Sequence, residues 1–224
     1  MSSWTKGNST LLAGGAGGSV FVATGYTSVL HNVICMTVTW SGSVTVASVA
    51  DTSGNTSAGG NWVAAGPAVA ASIGGETQQI WVCLNAKGGA ANVITVTFSG
   101  ATSGNGALEV CEFAWSGGAG ATLRSQNGAT ATSTAANSGS AASVAGDLLY
   151  GGFVTFGGFS SIGAGYTVST QQSGFWFDAY DLSSPGGSVV ANATVTSGIW
   201  VANLVVIAPP ASAPAGNALF YGSD

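Results

Sequence analysis

From Ser19 to Ala208 the chain is a succession of short apolar or alternating runs, each closed by a cluster of Gly, Asn and Ser. No stretch of useful length carries the i, i+3, i+4, i+7 spacing of a helix. The runs are Ser19–Tyr26, Val33–Trp40, Val44–Asp51, Gln78–Asn85, Val93–Ser99, Ala107–Trp115, Asp147–Phe156, Tyr166–Gln172, Gly174–Asp181, Ser188–Thr196 and Ile199–Ala208. Several alternate with period two: Ile94, Val96 and Phe98 share one face, as do Trp200, Ala202, Leu204 and Val206. Many short strands with turn signals between them predict an all-β fold. The expected form is an antiparallel β-sandwich of jelly-roll type with extended terminal arms.

The turns have a mechanism. Asp51-Thr52-Ser53-Gly54-Asn55 offers an Asp that bonds its own backbone and a Gly that tolerates positive φ. Asn85-Ala86-Lys87-Gly88-Gly89 reads as a hairpin joining Gln78–Asn85 to Val93–Ser99. Pro185-Gly186 suits a type II turn. The boundaries drawn are an N-terminal arm (1–18), a sandwich domain (19–208) with a low-complexity excursion (116–146), and a Pro/Ala linker with an apolar C-terminal arm (209–224). Within the excursion, Ala129–Thr134 reads as a weak edge strand. The C-terminal arm carries Leu219, Phe220 and Tyr221 as assembly contacts.

Composition narrows the function. Of 224 residues 46% are hydrophobic and only 5% charged, against about 25% charged in an ordinary domain. Three basic residues, Lys6, Lys87 and Arg124, are too few and too scattered to neutralise phosphates or an anionic membrane. Nucleic acid and membrane are therefore excluded as partners. A basic segment followed by an apolar stretch is missing at the N-terminus, so the sequence as given carries no signal peptide. Cys35, Cys83 and Cys111 sit inside apolar runs and read as small buried hydrophobes rather than a disulfide or metal site.

The run Gln78-Gln79-Ile80-Trp81-Val82-Cys83-Leu84-Asn85-Ala86-Lys87-Gly88-Gly89 through Val93-Ile94-Thr95-Val96-Thr97-Phe98-Ser99-Gly100, followed by Leu108–Gly117, resembles a hairpin and strand of certain bacterial and phage β-sandwich modules. The likeness continues in Ala145–Gly152 and Ile199–Val206. It implies an extracellular or virion module for display, adhesion or particle structure, with no catalytic motif to carry over.

Candidate chemistry is sparse. His31, the one histidine, has no nucleophile motif beside it. Glu109/Glu112 and Asp178/Asp181 are the close carboxyl pairs, and residues three apart on a strand point to opposite faces. A glycan-cleaving site would need a distant pairing such as Glu112 with Asp178. Calcium ligands at Asp51/Asn55 or Asp178/Asp181 are a minority reading, since the turn explains the first pair. No metal, cofactor or catalytic residue is assigned. The aromatic run around Trp176 and Tyr180, with Asp178 between them and Trp115 in support, is the candidate glycan platform, weighed against a plain core role.

The expected function is thus non-enzymatic: a virion subunit, of capsid-decoration or fibre-associated kind, on a virion or extracellular surface. Its partners would be copies of itself (a homo-oligomer) and neighbouring structural subunits, joined through uncharged sheet edges or exchanged arms. The alternative is a carbohydrate-binding or adhesion module that takes a surface glycan.

Overall fold

The computed structural model describes residues 2–13, 17–71, 75–172 and 174–211. All regular structure among them is β. A five-stranded antiparallel sheet has the order β1 (Trp4–Ala13), β8 (Ala107–Trp115), β3 (Val33–Ser41), β6 (Glu76–Cys83), β5 (Trp62–Ala70). A three-stranded sheet, β2 (Val20–Ser28), β7 (Gly89–Phe98), β4 (Val46–Asp51), covers its outer face. A second large sheet holds β9 (Thr122–Asn137), β16 (Asn192–Ala208), β11 (Leu148–Thr155), β14 (Trp176–Asp181) and β13 (Thr167–Gln172), with β12 (Phe159–Ile162) also on β16. Its outer face carries a ribbon of β10 (Ala141–Ser143) and β15 (Gly187–Val189).

The single sandwich expected over 19–208 is in fact two, stacked. In strands β1 to β8 the pairing is nested: first with last, second with second-last, third with third-last. Strands β9 to β16 repeat it, with β9 on β16, β10 on β15 and β11 on β14. In both halves the third strand also lies between the last and the sixth, and the fifth flanks the sixth. The two large sheets face each other, with β1 beside β13 and β5 beside β9. Exchanging the halves maps one of these edge contacts onto the other, which is the signature of a pseudo-twofold relation.

Burial follows from the stacking. A strand covered on both faces needs a continuous apolar run, whereas one with a wetted face alternates. All of β11 is buried, and so is β16 from Trp200 onward. Along β7, by contrast, Ile94, Val96 and Phe98 are buried while Thr95 and Thr97 are half-exposed. The alternating residues of β3 feed two cores: Ile34, Met36, Val38 and Trp40 face the three-stranded sheet, and Val33 and Cys35 face the opposite repeat.

Three expectations are corrected. Residues 4–13 are no arm but the edge strand β1, because Trp4 packs into the seam between the repeats. The excursion 116–146 contains β9, 16 residues long and paired along most of β16. The segment Gln78–Gly100 is no hairpin: β6 and β7 belong to different sheets, so Asn85–Gly89 is a crossover. The uncharged sheet edges pair irregularly. The ladders of β1, β2, β4, β5, β9, β12 and β13 with their inner neighbours each contain a register shift. The inner ladders β3–β6, β3–β8, β11–β14 and β11–β16 contain none. Bulges at edges protect them from pairing with other chains, a task otherwise given to charge.

Candidate functional site

The aromatic platform read from sequence does not form. Trp176, Asp178 and Tyr180 do share one face of β14, but it is the face turned into the seam between repeats. Asp178 is completely buried, with Oδ1 accepting from Thr170 N at 2.6 Å and from Thr170 Oγ1 at 2.5 Å. Tyr180 sits edge-on to Phe113 at 5.4 Å, and Trp176 Nε1 donates to Glu76 Oε2 at 3.0 Å. Trp115 packs against Trp4 at 5.2 Å and joins none of them. Asp178 is therefore sealed, while Trp176, Tyr180 and Trp115 are half-buried along the seam and its rim.

The acids do not converge on solvent either. Glu112 points to the three-stranded sheet, where Oε1 accepts from Val29 N at 2.6 Å and Asn32 Nδ2 at 3.0 Å. Asp178 lies beyond the opposite face of β8, so the pairing of Glu112 with Asp178 is ruled out by the sheet between them. The structure instead brings Glu109 toward Asp178 in the seam. Glu109 is fully buried and neither carboxyl oxygen has a hydrogen-bond partner. Burial, reinforced by Asp178, pushes its pKa well above the carboxylate range. Burial also raises Asp178, offset in part by the hydroxyls of Thr170 and Tyr150. With no path to solvent, this pair cannot meet a substrate.

His31 adopts a left-handed φ of 71° at the β2–β3 turn, and its Nδ1 lies 2.8 Å from Asn85 Oδ1. Both oxygens of Asp51 accept from Asn55, from N at 3.0 Å and from Nδ2 at 2.8 Å, which closes the turn. Asp178 and Asp181 face opposite sides of β14. Cys35 and Cys111 stand directly opposite on β3 and β8. Ala86 N donates to Asn32 O, so even-numbered residues of β3 turn their backbone groups to β6 and odd-numbered ones to β8. Cys35–Cys111 is therefore a hydrogen-bonded pair, about 5.5 Å between Cα atoms with side chains splayed, and both remain free thiols. Leu219, Phe220 and Tyr221 lie outside the described residues.

What sequence reading missed is a groove on the outer face of the second repeat. Its volume is 470 Å³, and Leu149, Asp181, Tyr166, Pro185, Val189 and Val190 are among the residues that line it. At Asn192 it meets a second hollow of 290 Å³ lined by Ala135, Asn137 and Thr194. Asp181 Oδ1 accepts from Ser183 N at 2.8 Å. The Tyr166 hydroxyl is buried without a hydrogen-bond partner, a state that costs about 1–3 kcal/mol. Burial and the nearby Asp181 carboxylate raise its pKa. One signal was available in the sequence: Phe177, Ala179 and Asp181 share a face of β14, and the last of them puts a carboxylate where the pattern calls for an apolar residue.

No family model, curated protein or solved structure matches the chain. The groove and the duplicated strand order therefore carry the functional argument by themselves.

Proposed function

We propose that the chain is a non-enzymatic structural protein of a surface or particle, a virion subunit of capsid-decoration or fibre-associated kind built from two jelly rolls. The observation that carries this reading is the nested strand pairing, present twice. Eight strands paired first with last and folded into two sheets is the jelly-roll plan, which recurs in viral capsid and lectin domains. The burial of Glu109, Glu112 and Asp178 supports a role without catalysis, because these acids are withheld from any substrate.

Assembly partners are copies of this chain and neighbouring structural subunits. The bulged edges speak against strand-to-strand joining, so contact runs through outer faces and loops. With 5% of residues charged, such faces lose little hydration on contact. Residues 209–224 are the remaining candidate for an arm. Light scattering on the full chain and on a chain ending at Ala208 tests the reading. A discrete homo-oligomer that shrinks on truncation is expected, and a monomer in both would overturn it.

A further inference from the structure

The two repeats differ sharply at one corresponding row. In the first, Ile34, Cys83 and Trp62 stand side by side on β3, β6 and β5, and all three are sealed, at 0%, 0% and 1% exposure. In the second, Leu149 pairs with Asp181 across β11 and β14, and Tyr166 directly precedes β13, extending the same row. A carboxylate thus occupies the place of a buried thiol and a tyrosine that of a tryptophan. The cover differs too. The first repeat has outer strands β2, β7 and β4 of 9, 10 and 6 residues, while the second has only the three-residue β10 and β15. The groove occupies the space this shorter cover leaves open.

We infer that the groove is a binding site for a neutral sugar. Its one charged group is Asp181, and no cation lines it, so phosphorylated and acidic ligands are disfavoured. Among the described residues Asp181 Oδ2 has no hydrogen-bond partner. Gly165, at φ +87°, keeps it bare, since a Cβ there would lie 3.1 Å from this oxygen. Gly163 likewise makes room for Asn192, whose Oδ1 would sit 1.5 Å from a Cβ at that position. One sugar hydroxyl can accept from the Asn192 amide nitrogen, which has no hydrogen-bond partner among the described residues, and another can donate to Asp181. An ammonium group would satisfy Asp181 but offers the Asn192 amide nitrogen no acceptor. Pro185, Val189 and Val190 provide the apolar wall that the C–H face of a sugar ring requires.

This inference is independent of the assembly reading, which light scattering decides separately. The test is ligand-observed NMR and titration of the full chain with methyl glycosides of glucose, galactose, mannose and N-acetylglucosamine. N-acetylneuraminic acid and lysine methyl ester serve as charged probes. At least one neutral glycoside should bind saturably below about 10 mM and shift the resonances of Tyr166, Val189 and Val190. Asp181→Asn should weaken binding roughly tenfold and Asn192→Ala severalfold, with Trp176→Phe unchanged. If Asp181→Asn does not fold, Asn192→Ala is read in its place. The inference is overturned by no saturable binding of any neutral glycoside, by binding that survives these groove substitutions, or by preference for either charged probe.

Discussion

Thr37 of β3 stands directly against Gly152 of β11, so that a Cβ on Gly152 would lie 2.6 Å from the Thr37 Oγ1 atom. This is where the central strands of the two repeats cross. Around the crossing the seam is polar. Thr37 Oγ1 lies 3.1 Å from Tyr150 Oη, the amides of Gln78 and Asn203 meet at 3.0 Å on one side, and Glu109 approaches Asp178 on the other.

Gly152→Ala is expected to destabilise the chain by about 1–3 kcal/mol, the cost of forcing a methyl group into a packed interior. Thr37→Ala removes the obstructing atoms, so the double variant should recover part of that loss. A urea-unfolding double-mutant cycle measures the coupling, expected to exceed about 0.5 kcal/mol. Strict additivity of the two substitutions would show that the sheets do not approach at this point.

Glu109 makes stability depend on pH in an unusual direction. Its folded pKa is raised above the ordinary 4.5, so the folded state holds the proton more tightly than the unfolded one. The stability linked to it is complete below that ordinary value and is lost as pH rises toward the folded pKa. Asp178, also raised, adds with the same sign. Glu109→Gln should flatten the fall in stability above about pH 5 and be more stable than the parent at pH 8. Denaturant midpoints at a series of pH values decide this. A parent chain that gains stability steadily from pH 5 to pH 8 would contradict it.

How far sequence reading reached depends on whether one face or two were buried. Period-two alternation placed β7 within a few residues, because one face of that strand is partly wetted. Likewise β3, β8 and β11 stood out as apolar runs. The strands that escaped, β1, β5, β10, β12 and all of β9 but Ala129–Thr134, are edge or short strands in which Gly, Ala, Ser and Thr carry little pattern. Gly128 shows why small residues serve there: a Cβ would lie 2.1 Å from Asn203 Oδ1 and 2.7 Å from Val69. The duplication was hidden because it resides in the order of pairing, while strand lengths diverge, as in β2 against β10. The groove was illegible for a related reason, since Tyr166 and Asn192 approach Asp181 only once the second repeat has closed.

Arg124 and Asp147 form the one salt bridge among the described residues, bidentate with Nε–Oδ2 at 2.6 Å and Nη2–Oδ1 at 3.1 Å. Asp147 is 1% exposed, and Val144 N and Ser143 Oγ also bond to its Oδ2. Arg124 is about a third exposed, so solvent screens its share of the attraction. Arg124→Met keeps the stem but strands the buried carboxylate, and should cost about 1–3 kcal/mol. The loss should be smaller in Arg124→Met/Asp147→Asn, where the uncompensated charge is gone. Thermal melts of the three proteins test this, and equal melting points for the single and double variants would show that the charge of Asp147 is not what is lost.

The seam between the repeats predicts that the chain unfolds as one unit. Each large sheet presents an apolar inner face to the other, Val33, Cys35, Ile80, Val82 and Phe113 against Leu148, Tyr150, Val205 and Ile207. Freed of its partner, either half would expose a contiguous apolar surface of a kind that monomers rarely tolerate. Neither repeat therefore has a stable separated state along the unfolding path, despite carrying its own outer core. Tryptophan fluorescence reports mainly the first repeat, which holds Trp4, Trp40, Trp62, Trp81 and Trp115, while far-UV circular dichroism reports the strands of both. The two probes should give coincident urea transitions with a single midpoint. A fluorescence transition displaced from the dichroism transition would mean that the repeats part before they melt, and that the buried polar seam is too weak to couple them.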